Sequence, residues 1–435
     1  MPDDQGARAR LAIQGELSET KRHAGPAGAG SNSRPRSLSL KAGVTCLSSP
    51  RAPRPSPALC EVAIVAGEAS GDQLGGLLIK AVHDAGLPAS FYGIAGPRMQ
   101  AAGASSLYDM ETLSVRGYVE ALSNLHRILA IRRGLRRRLL KTPPRLFIGV
   151  DAPDFNLTLE ADLKRAGIPT VQFVAPSVWG WRRSRIRRVH KAVSHLLLIF
   201  PFEEEIYRQA GIPATYVGHP LAHALPPPDR QAARAKLALA PEAEYVALLP
   251  GSRQSELRLL GRLYVETAKS IQAERPQVRF LVPMVSRETK LLFQQALHDA
   301  GAGDLRLRIL FGHAHDALRA ADAALVASGT ATMEAMLLGC PHVITYRVPW
   351  LTYQIMKRQA YLPYVGMPNI LAGRFIVPEL LQDQARPESL AQAVLGLLAD
   401  TTARAAMLAE FDRLRGELKR DTPRLIAETL APFLQ

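Results

Sequence analysis

The chain has 435 residues, 47% of them hydrophobic, and a formal net charge of +15. That length predicts two or three domains with separate cores, and that charge calls for an acidic partner: anionic lipid, a phosphorylated substrate or nucleic acid. Cys46, Cys60 and Cys340 are too few and too scattered for a disulfide framework or a zinc site, and no apolar run approaches the roughly 18 residues that span a bilayer.

Residues 1–57 are rich in Ala, Gly, Ser, Pro and Arg and have almost no periodic apolar pattern. Such a segment buries too little to offset its ordering entropy, so it is expected to be a disordered extension or an upstream-misassigned start. It lacks the apolar core of a secretory signal. From Lys21 it carries Arg and Ser without an acidic residue, which leaves organelle targeting as a minor alternative.

Order is expected from near Ala58. Glu61 to Ala66 reads as a buried strand, Gly67 to Asp72 as a turn, and Leu74 to Ala85 as a helix closed by Gly86. Further strands are predicted at Phe91–Ile94, Arg145–Val150, Thr170–Val174 and Ser194–Phe200, with helical stretches between them. Leu225-Pro-Pro-Pro228 is a stiff linker. A second unit of the same kind has strands at Tyr245–Leu249, Arg279–Val282, Ala323–Ala327 and His342–Tyr346. The predicted fold class is therefore α/β: two Rossmann-like, doubly wound domains facing a cleft, with ligands beyond the carboxyl ends of the strands. The expected division is 58–224 for the first domain, 225–400 for the second, and 401–435 for C-terminal helices returning to the first.

Four strand-to-helix turns carry candidate chemistry. Glu68, Ser70, Gly71 and Asp72 lie in a glycine-rich turn that either admits a phosphate or sugar to the backbone or packs closely. Asp151 and Asp154 follow a strand; they divide into a general base and a cap, or both cap the helix that follows. Gly251, Ser252 and Arg253 suit a diphosphate, through the backbone amides of Gly251 and Ser252 and the guanidinium of Arg253. Ser328, Gly329 and Thr330 offer a second set of donors, and Glu334 lies one turn on, where it can accept a ribose hydroxyl pair. The histidines lack metal-ligand spacing, so no metal and no cofactor is assigned.

One stripe at helical spacing comprises Val115, Tyr118, Val119, Leu122, Leu125 and Leu129, and Ile128 lies beside it. Arg132, Arg133, Arg136, Arg137 and Arg138 follow. A core-facing helix with a solvated basic tail accounts for this, as does a helix lying in a membrane interface. Pro176-Ser-Val-Trp-Gly-Trp181 and the basic run after it fit an interface, a phosphorylated glycolipid or single-stranded nucleic acid.

The strings VAGEASGD, GIAGPRMQAAG, GVDAPDFN, PSVWGW, VGHPLAHA, LLPGSR, ASGTATMEAML and MPNILAGR, in this order, resemble the lipid A disaccharide synthase family, inverting glycosyltransferases of the two-Rossmann (GT-B) type. The match runs from about Glu61 to the C-terminus. Trp179-Gly180-Trp181 departs mildly from the Trp-Ala-Trp frequent in the family. The resemblance implies transfer of 2,3-diacylglucosamine from its UDP derivative to the 6-hydroxyl of 2,3-diacylglucosamine 1-phosphate, yielding a β-1,6 disaccharide and UDP. It implies Asp151 as general base, Asn369 as a cleft residue, and Leu113–Leu129 as a membrane-docking helix, with Val119, Leu122, Leu125, Ile128, Leu129, Arg132 and Arg133 at the surface. The implied partners are a UDP-sugar, a phosphorylated glycolipid and an anionic membrane; a homodimer is compatible, and nucleic acid is not expected. The implied location is the cytoplasmic face of a bacterial inner membrane. Two rivals are another UDP-GlcNAc enzyme of this architecture, which would lack VDAPDF and PSVWGW, and a non-enzymatic membrane- or nucleic-acid-binding protein.

Overall fold

The computed structural model describes residues 59–113, 118–179, 185–350, 353–354, 358 and 362–435; in 118–125 it describes the backbone only. The expectation for residues 1–57 lies outside this range.

The first sheet has seven parallel strands in the order β3-β2-β1-β4-β5-β6-β7. They are β1 (Cys60–Ala66), β2 (Ala89–Ile94), β3 (Ser105–Ser106), β4 (Leu146–Val150), β5 (Thr170–Phe173), β6 (His195–Leu198) and β7 (Ala214–Tyr216). Helices α1 (Ala69–Asp84), α2 (Pro97–Ala101), α3 (Tyr118–Lys141), α4 (Pro153–Arg165), α5 (Ile186–Ala192) and α6 (Pro201–Gln209) make the crossovers. The sequence Leu-Phe-Ile-Gly-Val of β4 is buried throughout. A strand covered on both faces is expected to be continuously apolar rather than alternating.

The second sheet has six parallel strands in the order β10-β9-β8-β11-β12-β13. These are β8 (Tyr245–Leu249), β9 (Arg279–Met284), β10 (Leu307–Phe311), β11 (Ala323–Ala327), β12 (His342–Tyr346) and β13 (Glu379–Leu381). Helices α7 (Pro220–Ala224) and α8 (Arg230–Lys236) precede it, and α9 (Gln254–Glu274), α10 (Arg287–Asp299), α11 (Ala314–Ala320) and α12 (Thr330–Leu337) cover it.

In each sheet the strand order reverses once, between β1 and β4 in the first and between β8 and β11 in the second. Chains leave such a pair in opposite directions, so a crevice opens at its carboxyl end. Register brings Ala66 beside Val150 and Leu249 beside Val326. The four candidate turns therefore stand in two pairs, one at each reversal.

The two terminal helices part company. Met407, Phe411, Leu414 and Leu418 of the helix Thr401–Leu418 are buried in the second core. Ile426, Leu430 and Leu434 of the last helix, Thr422–Leu434, are buried in the first. Cys60 Sγ donates to Leu434 O at 3.0 Å. The segment joining these helices runs beside the one leading into α7: Tyr216 Oη donates to Glu417 O at 2.8 Å and His219 N to Leu418 O at 3.0 Å. Gly218 has φ +87, and a Cβ there would lie 2.6 Å from Arg420 Cβ, so this close crossing needs glycine. Phe200, just past β6, packs against both cores.

Candidate active site

At the first reversal, Asp151 and Ala152 follow β4 with φ of 53° and 43°. Two successive non-glycine residues in the left-handed region cost about 1–3 kcal/mol each, and such strain persists only where neighbours impose it. Here Asp151 N donates to Phe173 O at 2.9 Å, and Asp151 O accepts from Asn156 Nδ2 and Gln172 Nε2, each at 2.9 Å. The half-buried Asp151 carboxylate accepts from the exposed Ser70 hydroxyl at 3.3 Å. The structure thus brings two sequence candidates from separate turns together.

The glycines of the first turn serve that approach. A Cβ on Gly67 would lie 2.9 Å from Ala152 Cβ, and one on Gly71 3.2 Å from Val150 O. Close packing, left open by the sequence, describes Gly67 and Gly71. Glu68 is exposed at the N-cap of α1. Asp72 was expected in the cleft and is not there: it is buried, and its oxygens accept from Arg98 N at 2.9 Å and Met99 N at 3.0 Å, capping α2. A helix start presents unpaired amides, and a buried carboxylate is stable where it meets them. Asp154 lies in the first turn of α4 with its side chain largely exposed and paired with Arg185 at 3.0 Å; the N-cap position belongs to Ala152.

Next along the sheet, Val174 has φ 71, an outlier for a β-branched residue. The segment after it is tied to α6 twice. Tyr207 Oη donates to Pro176 O at 2.9 Å, and Trp179 Nε1 donates to Glu203 Oε1 at 3.0 Å. Burial pushes the Glu203 carboxyl up to about 8, against the pull of the Trp179 and backbone N–H donors. Trp179 meets Phe202 and Phe200 edge-on. Nothing local in the sequence marks Glu203 beyond its place in the first turn of a helix. Trp181 and residues 182–184 lie outside the described residues.

At the second reversal, Arg253 is exposed, with its guanidinium 3.4 Å from Glu256. Glu256 Oε2 accepts from Ser252 N at 2.9 Å and Arg253 N at 3.1 Å. The Ser252 amide, expected free for a diphosphate, is thus engaged by the chain's own carboxylate. Gly251 has φ +121, and a Cβ there would lie 2.4 Å from Glu256 Oε2. Beside it, Ser328 Oγ donates to Val365 O at 3.3 Å, and Gly329 and Thr330 are exposed at the start of α12. Glu334 pairs with His315 Nε2 at 3.4 Å. The hydrogen bond to Glu334 raises the His315 pKa above its usual value, although burial lowers it.

Asn369, expected in the cleft, is not there either. It is fully buried, with Nδ2 donating to Val377 O at 2.8 Å and Glu379 Oε1 at 2.7 Å, and Oδ1 accepting from Ile376 N and Val377 N. A saturated amide has nothing left for a ligand. Glu379 in turn accepts from Val365 N and Gly366 N, each at 2.9 Å, so Asn369 acts on the loop beside Ser328.

Helix α3 continues through Gly134 to Lys141. Leu135 and Leu139 are buried in the first core, with Ile128 and Ile131 packed against it. Leu129 and Arg132 are half-buried, and Arg133, Arg136, Arg137 and Arg138 are exposed, with Arg136 paired to Asp162. The side chains of Val119, Leu122 and Leu125 lie outside the described residues. Among the described residues no helix is long and apolar enough to cross a membrane, and no three His, Cys, Asp or Glu side chains gather as a metal requires.

Comparison with solved structures finds the same fold at low identity. Arabidopsis thaliana UGT89C1 complexed with UDP aligns with a TM-score of 0.56 and 15% identity, over 86% of this chain and all (100%) of that one. UDP-GlcNAc 2-epimerase from Neisseria meningitidis, bound to UDP-GlcNAc, aligns with a TM-score of 0.54 and 9% identity, over 86% and 98%. CalG4, the calicheamicin glycosyltransferase, aligns with a TM-score of 0.54 and 17% identity, over 86% and 98%. A glycosyltransferase and an epimerase on one architecture mean that the fold does not choose between them. Sequence does. The chain is 53% identical over 375 residues to the lipid-A-disaccharide synthase of Methylobacillus flagellatus, covering 86% of this chain and 99% of that protein. It is 51% identical over 374 residues to that of Aromatoleum aromaticum, covering 86% and 96%. The family model described as lipid-A-disaccharide synthetase matches residues 62–430, which takes in both strand-order reversals. On that match, and on the two parallel-sheet domains of GT-B type beneath it, the chain belongs to the lipid-A-disaccharide synthetase family of glycosyltransferases.

Proposed function

We infer that the chain carries out its family's transfer. The 2,3-diacylglucosaminyl unit of a UDP derivative moves to the 6-hydroxyl of 2,3-diacylglucosamine 1-phosphate, giving a β-1,6 disaccharide and UDP in lipid A biosynthesis. The observation that carries this reading is identity near one half with synthases of that name across nearly their whole length. Asp151 is the general base. It takes the proton of the acceptor hydroxyl as that oxygen attacks the anomeric carbon, and the electron pair of the breaking bond leaves on UDP. A carboxylate is a weak base toward a hydroxyl, so proton transfer runs late, with carbon–oxygen bond formation. Ser70, within hydrogen-bond reach of the carboxylate, supports the base's orientation.

UDP sits at the second reversal. The exposed Arg253 guanidinium neutralises the growing diphosphate charge, and the start of α12 at Ser328, Gly329 and Thr330 adds N–H donors without a metal. Glu334 takes the ribose hydroxyls. Glu256 makes the Ser252 and Arg253 amides unavailable to the anion, which moves the weight of diphosphate binding onto Arg253 and α12.

The acylated substrates reach the site from a membrane surface on which α3 lies. The exposed arginines of α3 support this, and so does the apolar row at 119, 122, 125 and 129. In the sequence that row recurs at helical spacing. The surface is the cytoplasmic face of a bacterial inner membrane, and a homodimer is compatible with the reading.

The test is UDP release measured with both diacylglucosamine substrates and, separately, with UDP-GlcNAc as sole sugar. Release that needs both acylated substrates is expected. Conversion of UDP-GlcNAc to its C2 epimer, with no acylated acceptor and no UDP released, would favour the epimerase class instead.

A further inference from the structure

Directly behind the Asp151 turn lies a set of buried oxygens without partners. Among the described residues, Asn156 Oδ1, Gln172 Oε1 and both oxygens of Glu160 have no hydrogen-bond partner. All three residues are fully buried. Their geometry is tied to bare backbone at Gly149 in β4. A Cβ there would stand 2.3 Å from Gln172 Oε1, 2.3 Å from Glu160 Oε1 and 3.0 Å from Asn156 Cβ. The amide oxygen of Gln172 and the carboxyl oxygen of Glu160 are thus separated by no more than twice that first distance, across a glycine that leaves room for both.

The orientation of Gln172 follows from its other end. Nε2 faces Asp151 O at 2.9 Å, Val174 O at 3.1 Å and Phe173 O at 3.5 Å. Three carbonyls demand the N–H end; turning the amide over would set oxygen against oxygen three times. The Gln172 oxygen therefore faces Glu160. An ionised Glu160 would be a buried charge with acceptors in front of it. A single proton on Glu160 turns one acceptor into a donor.

We propose that Glu160 is a neutral carboxylic acid that donates to the Gln172 amide oxygen, and that this bond locks the clamp holding Asp151 in place. Glu160 is a positioning residue: it acts through Gln172, whose amide holds both the strained Asp151 and the strained Val174 carbonyls. Burial pushes the Glu160 carboxyl up to about 8, which keeps it protonated at neutral pH. The role rests on the reading of Asp151 as base, because a base misplaced by a fraction of an ångström loses rate while substrate binding survives.

Infrared difference spectra of wild type against Glu160→Gln at pH 7 test the protonation state. A C=O stretch of a protonated carboxylic acid, present in wild type and missing from the variant, is expected; carboxylate bands in its place would overturn the proposal. Kinetics test the role. Glu160→Gln keeps a donor and should keep kcat close to wild type. Glu160→Leu should lower kcat by ~10–100-fold with KM for the UDP-sugar unchanged. A Glu160→Gln variant as slow as Glu160→Leu would show that the donor is not what matters, and the proposal would fail. If Glu160→Leu does not fold, the spectra and Glu160→Gln still decide. Should Asp151→Ala keep full turnover, the base reading fails while the acid band stands; should the band be missing and Asp151→Ala be inactive, only the Glu160 proposal falls.

Discussion

At the scale of single residues, what distinguishes Asp151 from the other acidic candidates is what its backbone does. Asp72 is consumed by the amides of α2, and Asp154 extends into solvent toward Arg185. Asp151 stands on a strained turn with its carboxylate met, among the described residues, only by a hydroxyl at the edge of hydrogen-bond range. Asp151→Ala is expected to fold and to lose activity by about 10²–10⁴-fold, the usual cost of removing a general base. Retention of more than half the turnover would end the assignment. Asp154→Ala should cost far less. In the second domain, Arg253→Ala should weaken UDP binding by roughly 1.5–3 kcal/mol, the worth of a charge-assisted bond. Calorimetry with unchanged UDP affinity would send the nucleotide elsewhere. A chelator should leave the rate untouched, and activity restored by magnesium after chelation would refute the metal-free mechanism.

At the scale of elements, α3 serves two masters. Its C-terminal half is bound into the first core through Leu135 and Leu139, and its arginines face outward. The contributions are separable. Replacing Val119, Leu122 and Leu125 with Ser should remove the salt-resistant part of binding to anionic vesicles, because each buried apolar side chain contributes roughly 1.5–3 kcal/mol. Wild-type binding should fall with salt as the arginine attraction, about 1 kcal/mol per residue, is screened, yet not vanish. Leu135→Ala should instead lower the melting temperature and leave vesicle binding alone. If the triple variant melts much lower and sediments with vesicles as before, the row at 119–125 is core and the acyl chains are presented otherwise.

At the scale of the whole molecule, two buried histidines couple stability to acid. Burial depresses His219, beside the crossing between the domains, and His342, in the second core against Phe411, each to about 4. The unfolded chain takes up protons below about 6.5, where the folded chain refuses them. Stability from these groups is therefore present above 6.5 and is lost as pH falls from there toward 4. Glu160 and Glu203, raised to about 8 by burial, work the other way: their contribution is complete below the ordinary 4.5 and declines as pH climbs to 8. Between about pH 6.5 and 4.5 the histidines and the glutamates oppose one another, so the test is the difference from wild type: as pH falls, the stability of His342→Leu in urea should rise relative to wild type by up to about 1.4 kcal/mol per pH unit. Parallel acid limbs would acquit His342.

Much was legible in the sequence, and the pattern of what was not has a physical cause. The nine inner strands read directly as apolar runs, because a parallel strand covered on both faces has no polar side to dilute it. The four missed strands, β3, β7, β10 and β13, are the four sheet edges. Three of them are two or three residues long, and β10 alternates with solvent, so no periodic signal survives. The candidate turns could be found because a glycine, a proline or an acid directly after a buried strand is a local feature. What lay beyond reach was which oxygen each acid's neighbours would claim. Asp72 and Asn369 looked like ligand-facing groups and are engaged by amides of their own chain, and the Ser252 amide is engaged by Glu256. The clamp of Gln172, Asn156 and Glu160 behind Asp151 had no local sign at all. Strand order alone brings β4 between β1 and β5, and with them Ser70 and Gln172 to Asp151. Composition and local pattern determine which segments are buried; only the packed fold decides which buried polar groups meet, because every donor and acceptor in it must find its partner there.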